Sequence, residues 1–495
     1  VTCKETVYRD RPLFQSPPAG AGNFVGYSDE ADRVVVCGNC HVDHQGKWEE
    51  TQHSRAWATL QTSGRAQALC ESCHSVNDRG NTVQNADVGF NSTRDSRYHD
   101  VQCESCHGPG LPHVQTPDAS APPLATLAVG TDLSAGCGEC HSGVHHPFVE
   151  EWSQSGHGRV QASPAGRAEC RGCHTGQGAL AAWGVTGNYV EKSSSTHLPI
   201  TCGVCHDPHS NRVSRDPASG EPGTATFNSG GQLRYAADVP NEEQNLCLKC
   251  HHKRSQPELD PVTQTSRGPH SPEGPLLLGE NVGFWFGDTP FSADQIVGTH
   301  GSEGNPGLCA TCHMVRYTVN DEQTNQFQLA VVGHRFVATP CADAQNVPVS
   351  PSSDACPRTA AARSYLGCVG CHTNETVAAS LDTSAFLDIR ADAAQLKALV
   401  DQVRATQINP NDRVWTVAEG ADFNYQLAIR SGSHVHNPFL MRALLQVSMR
   451  EMRARYGLAS VSPTSLDRAY DRYYSSQRAV AAARAGARGV YGLTW

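Results

Sequence analysis

The chain has 495 residues, only 38% of them hydrophobic, with 45 glycines and 29 prolines. That length allows two or three domains, but the composition is poor material for one large apolar core. The formal net charge of -10 argues against broad nucleic-acid binding and leaves cationic partners or positively charged mineral surfaces open, and no apolar run approaches a membrane span.

In chain order, residues 1–36 read as an extended N-terminal segment containing Cys3. A Cys-x-x-Cys-His pentapeptide then follows at Cys37, Cys40, His41, and it recurs eight times. The copies are Cys70, Cys73, His74; Cys103, Cys106, His107; Cys137, Cys140, His141; Cys170, Cys173, His174; and Cys202, Cys205, His206. Three more stand at Cys247, Cys250, His251; Cys309, Cys312, His313; and Cys368, Cys371, His372. Each reads as a c-type haem attachment site, with two thioether cysteines and an adjacent histidine as iron ligand. The cofactor expected is therefore nine haem c groups with their irons. A zinc ribbon would explain the cysteine pairs but not a histidine after every second cysteine.

The first six motifs are spaced by 33, 33, 34, 33 and 32 residues, and the last three by 45, 62 and 59. The regular part, residues 37–240, is expected to be a six-haem region of repeated packing units. Residues 241–372 are expected to form a three-haem region with longer loops. Asp207–Asn241 and Gln256–Asn305, rich in Gly, Pro, Ser and Asn, read as surface loops. Residues 373–495 read as a helical C-terminal cap. Ala391–Ala405 shows apolar residues at Leu396, Leu399, Val400 and Val403 on one side. Asn437 and Pro438 read as an N-cap and first helical residue before the stripe Leu440, Leu444, Val447. A third helix is expected from Ser462 to about Ala485. A dimerisation surface is the competing use of this region. The expected fold class is mostly α and irregular coil, a multihaem arrangement in which haems form the core, with few strands.

Of 24 histidines, nine belong to the motifs and fifteen are spare, while methionine occurs only at 314, 441, 449 and 452. Bis-histidine ligation is therefore the expected rule, giving lower potentials than histidine–methionine ligation. The candidate distal ligands are His53, His99, His113, His157, His209, His270, His300, His334 and His436. His53 and His157 are expected on short helices. His44 and His209 each lie three residues past a motif histidine, so they are expected to serve a neighbouring haem. His145–His146 and His251–His252 are ambiguous. Of the three remaining cysteines, Cys341 and Cys356 are expected to form a disulfide closing a Pro/Ser-rich loop. Cys3 is left over.

Several segments resemble the cytochrome c554, octahaem and hydroxylamine-oxidoreductase-like superfamily. They are Trp48–His53, Trp152–His157, Cys103-Glu-Ser-Cys-His-Gly-Pro-Gly with His113, Thr196–His209, Cys309-Ala-Thr-Cys-His-Met, and Gly432-Ser-His-Val-His436-Asn-Pro. The resemblance spans about residues 37–450. It implies that His436, rather than His434, reaches back to a haem. All nine motifs end in histidine, whereas ammonia-forming nitrite reductases of that group often carry lysine at one. Some similar long cytochromes polymerise into conductive extracellular filaments.

The function expected is electron transfer along closely spaced haems. The alternative is an oxidoreductase acting on a small nitrogen or sulfur species at one open haem, with His252, His270 and Tyr317 as acid–base candidates. The expected partners are redox proteins or extracellular electron acceptors, with a homo-oligomer or filament among the assemblies allowed. No nucleic acid and no membrane span are expected. Twenty-one cysteines and covalent haem attachment point to an exported protein, extracellular or periplasmic, whose targeting segment is absent from the sequence.

Overall fold

The computed structural model describes residues 14–117, 122–129, 136–214, 222–223, 231–241, 243–252, 268–280, 282–286, 298–321, 323–350, 356–409 and 415–459. Cys3 and the helix expected from Ser462 lie outside them. The chain divides into two compact units. One is built from residues 1–250 and 309–375, the other from 251–308 and 376–495.

The first unit is mostly short helices and coil. Its strands, among the described residues, make four two-stranded antiparallel pairs: Tyr27–Asp29 with Val34–Val35, Val213–Ser214 with Pro222–Gly223, Tyr317–Asn320 with Phe327–Val331, and Cys341–Ala342 with Pro348–Ser350. Cys341 and Cys356 are joined by a disulfide. Several attachment motifs occupy a single helical turn, as in Cys103–His107, Arg171–His174 and Cys202–Cys205. One turn is what the motif requires, because positions i, i+3 and i+4 of a helix share a face.

Apolar packing in this unit is scattered. Its largest cluster gathers Ala21, Phe24, Val76, Val88, Phe90 and Tyr98. A second surrounds Tyr27, Val35 and Trp48, and a third surrounds Ala179, Leu180 and Val204. Several apolar side chains beside motif residues stand exposed instead: Val42, Leu69, Val144 and Val369. The unit is held as much by polar anchors as by apolar contact. Buried Glu104 accepts backbone N–H groups from Val25, Gly26 and Gly110 at 2.7–3.0 Å. Buried Asp100 accepts from the Tyr27 hydroxyl and the Trp57 N–H, each at 2.8 Å.

The second unit has a conventional core. The Glu375–Gln407 helix buries Ile389, Ala393, Leu396, Leu399 and Val400 against the Val417–Ala428 and Pro438–Tyr456 helices. Thr416 and Glu419 form a reciprocal capping box at the middle helix. The Asn437 side chain caps the last helix by accepting from the Leu440 N–H at 3.0 Å, with Pro438 at the first helical position. Gly457, at φ +64°, ends it in the left-handed conformation that costs glycine little. Buried Asn424 ties the middle of the bundle together, donating to the Phe284 carbonyl and to Ser448.

Two expectations change here. The first helix of this region runs from Glu375, well before Ala391. Its early turns expose Val377, Leu381 and Leu387, so no apolar stripe marks them in the sequence. The segment Gln256–Asn305 is not a surface loop throughout. Glu273–Leu278 is helical, and Leu276, Leu277, Val282 and Phe286 are buried. Glycine and proline around these residues make turns, while the apolar side chains between them fill the core. Likewise Val213, Leu233, Ala236 and Ala237 of the Asp207–Asn241 segment are buried. No described helix is long and apolar enough to cross a membrane.

Candidate haem-binding sites

Coordination of iron by imidazole needs a neutral ring with one nitrogen free for the metal, usually fixed by a hydrogen bond at the other nitrogen. The motif histidines meet that requirement repeatedly. The Nδ1 atoms of His74, His107 and His313 bond to the carbonyls of Ala56, Pro123 and Phe336 at 2.7, 2.8 and 2.9 Å. His206 does the same with Gly231. A carbonyl only accepts, so Nδ1 carries the proton and Nε2 is the nitrogen left for a metal. Two spare histidines are fixed alike: Nδ1 of His334 bonds to the Val332 carbonyl at 3.0 Å, and Nδ1 of His300 to the Val435 carbonyl at 2.7 Å.

The same rings come in pairs. His41 faces His113 with ring centres 6.5 Å apart and planes 22° apart. His107 faces His209 at 6.1 Å and 25°, and His206 faces His334 at 6.2 Å and 19°. His141 faces His53 at 6.1 Å with planes 55° apart. Two imidazoles on opposite sides of one metal atom stand roughly 6 Å apart centre to centre, because each metal–nitrogen bond is about 2 Å and each ring adds its own radius. The four spacings fit a shared iron. In each pair one member belongs to a motif and the other was a candidate distal ligand.

Burial favours the neutral form of five of these rings. Desolvation lowers His53 to about 4, His141 to about 3 and His334 to about 4, and it also lowers His107 and His206. A neutral imidazole is the ligand form. Glu151, itself buried, positions one of them. Its carboxylate accepts from the Val332 and His334 N–H groups at 3.1 and 2.7 Å and pairs with Arg335 at 3.2 Å. Among the described residues no cluster of histidine, cysteine and acidic groups could hold a metal by itself. A macrocycle brings its own four nitrogens and asks the protein only for axial ligands, so paired imidazoles without further ligands are compatible with one. The exposed Val42, Leu69, Val144 and Val369 beside the motifs supply apolar surface of the kind a porphyrin face covers.

The other sequence candidates are placed as follows. His99 lies flat on Trp57, ring centres 3.9 Å apart, with Nδ1 3.7 Å from Glu30. His157 sits in a turn after the Phe148–Gln154 helix rather than on a helix, 4.5 Å from the Phe336 ring. In the second unit, Glu273 lies 3.8 Å from His251 and also feels the charge of His436. His270 is half-buried. His434 is buried against Asp382 at 2.8 Å. Sequence reasoning left His146 undecided, yet this ring lies 6.5 Å from His141 and has His74 among its electrostatic neighbours. The only advance signal was its place five residues beyond a motif histidine. His44 packs edge-on to His209 at 5.1 Å. Tyr317 donates to the Asn346 carbonyl at 2.6 Å, so its hydroxyl already serves the fold.

Residues 36–108 match the family described as cytochrome c554 and c-prime. No curated protein matches the chain. The chain is similar to the outer cell wall cytochrome OcwA at 18% identity and a TM-score of 0.49, covering 87% of this chain and 100% of that one. It is also similar to an undecahaem cytochrome from the S-layer of Carboxydothermus ferrireducens, at 17% identity and a TM-score of 0.47, covering 89% of this chain and 70% of the other. The repeated motifs are c-type haem attachment sequences, which suggest several covalently bound haems, and the family match spans the first three of them.

Proposed function

We propose that the chain carries nine covalently bound haems, mostly or wholly bis-histidine ligated, and passes electrons along them in respiration outside the cytoplasm. The observation that carries this reading is the pairing of four motif histidines with a second histidine at the separation one iron spans. Closed axial faces favour electron transfer over substrate chemistry, since a substrate needs a vacant coordination position. His41, His107, His141 and His206 are the proximal ligands in these pairs, and His113, His209, His53 and His334 the distal ones. His146 is the distal candidate for His74, and His436 for the motif ending at His251.

The Cys341–Cys356 disulfide supports a location outside the reducing cytoplasm, as does covalent haem attachment. The partners would be redox proteins or extracellular acceptors, met at the outermost haems, with a filament of identical subunits as one form of delivery. The test is low-temperature electron paramagnetic resonance of the oxidised protein. Low-spin ferric signals accounting for all the iron support the reading. A stoichiometric high-spin signal transfers it to an oxidoreductase with one open haem.

A further inference from the structure

The thiols of different motifs meet one another, and not in the order of the sequence. Cys37 of the first motif touches Cys103 of the third, and both pack beside Trp48. Cys137 of the fourth touches Cys202 of the sixth, and Cys247 of the seventh touches Cys309 of the eighth. In these three contacts the first cysteine of one motif meets the first cysteine of another. A different contact joins second cysteines. Cys73 of the second motif meets Cys140 of the fourth, its Sγ lying 4.0 Å from the neighbouring Glu139 carbonyl. Cys173 of the fifth meets Cys250 of the seventh, its Sγ 3.9 Å from the Lys249 carbonyl.

Weaker electrostatic neighbours complete the set. They are Cys106 with Cys137, Cys205 with Cys247, and Cys312 with Cys371, linking third to fourth, sixth to seventh and eighth to ninth. The pattern repeats from motifs one to three onto motifs four to six, and the surrounding chain repeats with it. Trp48 Nε1 donates to the Val101 carbonyl at 2.9 Å, two residues before Cys103. Trp152 Nε1 donates to the Ile200 carbonyl at 2.8 Å, two residues before Cys202. Thr51 and Ser155, each three residues past its tryptophan, both bond back to the tryptophan carbonyl at 2.7 Å. Ligand pairing steps along the same way. The third motif's His107 takes its partner from just past the sixth motif, and the sixth motif's His206 from past the eighth.

From this juxtaposition we infer that the haems form a branched conduit. Its spine runs through motifs one, three, four, six, seven, eight and nine, with the haems of motifs two and five as side branches on four and seven. The inference rests on the proposed electron-transfer reading and sharpens it. Charge passes from the first motif to the ninth without using the second or fifth. The conduit has four ends, at motifs one, two, five and nine, and the two side haems are places where electrons join or leave laterally. The third repeat, motifs seven and eight, lacks such a branch.

The test has two parts, both on the holoprotein with Cys3→Ser. First, single molecules are bridged between gold contacts through thiols introduced by Asp43→Cys, beside the first motif, and Thr373→Cys, beside the ninth. Removing the fifth haem with Cys170→Ala and Cys173→Ala should leave end-to-end conductance within a small factor of the parent. Removing the sixth with Cys202→Ala and Cys205→Ala should lower it by more than an order of magnitude. Equal losses overturn the branching. Second, the iron positions of the parent holoprotein decide the matter where a variant fails to fold. The fourth iron must have the third, sixth and second as its nearest neighbours, and a fifth iron lying between the fourth and sixth overturns the inference. Intact mass is read on every sample. A parent protein without haems refutes the electron-transfer reading itself, and nine haems in sequential order refute only the branching.

Discussion

Replacing His209 by alanine should open one iron and leave the rest closed. The ring of His209 stands 6.1 Å from that of His107, and His107 keeps its own 2.8 Å bond to the Pro123 carbonyl, so the proximal side survives the change. With nine haems bound as proposed, the sixth position of one is lost, and about one-ninth of the ferric iron should pass from low spin to high spin. The neighbouring pair His41–His113, with its own 6.5 Å spacing, should keep its low-spin signal. Double integration of the paramagnetic resonance spectrum measures the fraction. His209→Met should restore a six-coordinate iron at a higher potential, because thioether sulfur favours the reduced state relative to imidazole. An unchanged spectrum in His209→Ala would refute the pairing. A loss spread over several haems would refute the claim that each distal histidine serves a single iron.

Other consequences are open to measurement. Glu104 is raised to about 7 from 4.5, chiefly by burial and against the pull of the Gly26, Val25 and Gly110 N–H groups. The native state therefore holds that proton more tightly than the unfolded chain does. Its contribution is full below pH 4.5 and is lost as pH rises towards 7, so Glu104→Gln should flatten that part of the stability–pH curve. The same substitution turns an amide donor towards backbone donors, so denaturant unfolding should show a loss of about 1–3 kcal/mol. Cys341→Ser with Cys356→Ser, opening a loop of 15 residues, should cost about 3 kcal/mol without changing haem content, read by denaturant titration and absorbance. His434→Ala should lower stability by about 1–3 kcal/mol through the lost Asp382 contact while leaving every iron spectrum unchanged. A new high-spin signal in that variant would make His434 a ligand.

Local chemistry made much of this legible in the sequence. The attachment motifs declare themselves because thioether formation and axial ligation fix three residue types within one helical turn. The Asn437-Pro438 cap and the Leu396–Val400 stripe were equally plain, because capping and helical periodicity are local signals. What the sequence hid is long-range. His146 has His74, 72 residues earlier, among its electrostatic neighbours, and nothing near it in the sequence records that. The helical start at Glu375 was hidden because its apolar side chains point outward. The burial of Leu276 and Phe286 was masked by the glycines and prolines around them, which signal turns whether or not the residues between are covered. The order in which motifs meet could not be read from even spacing, since a constant interval is compatible with either a sequential or a branched arrangement.

The intact mass of the denatured, purified chain bears most directly on the whole account, since thioether-bound porphyrins survive unfolding. The account predicts the 53.1 kDa polypeptide plus nine haem groups. A mass equal to the bare polypeptide, or short by any number of haems, would contradict it.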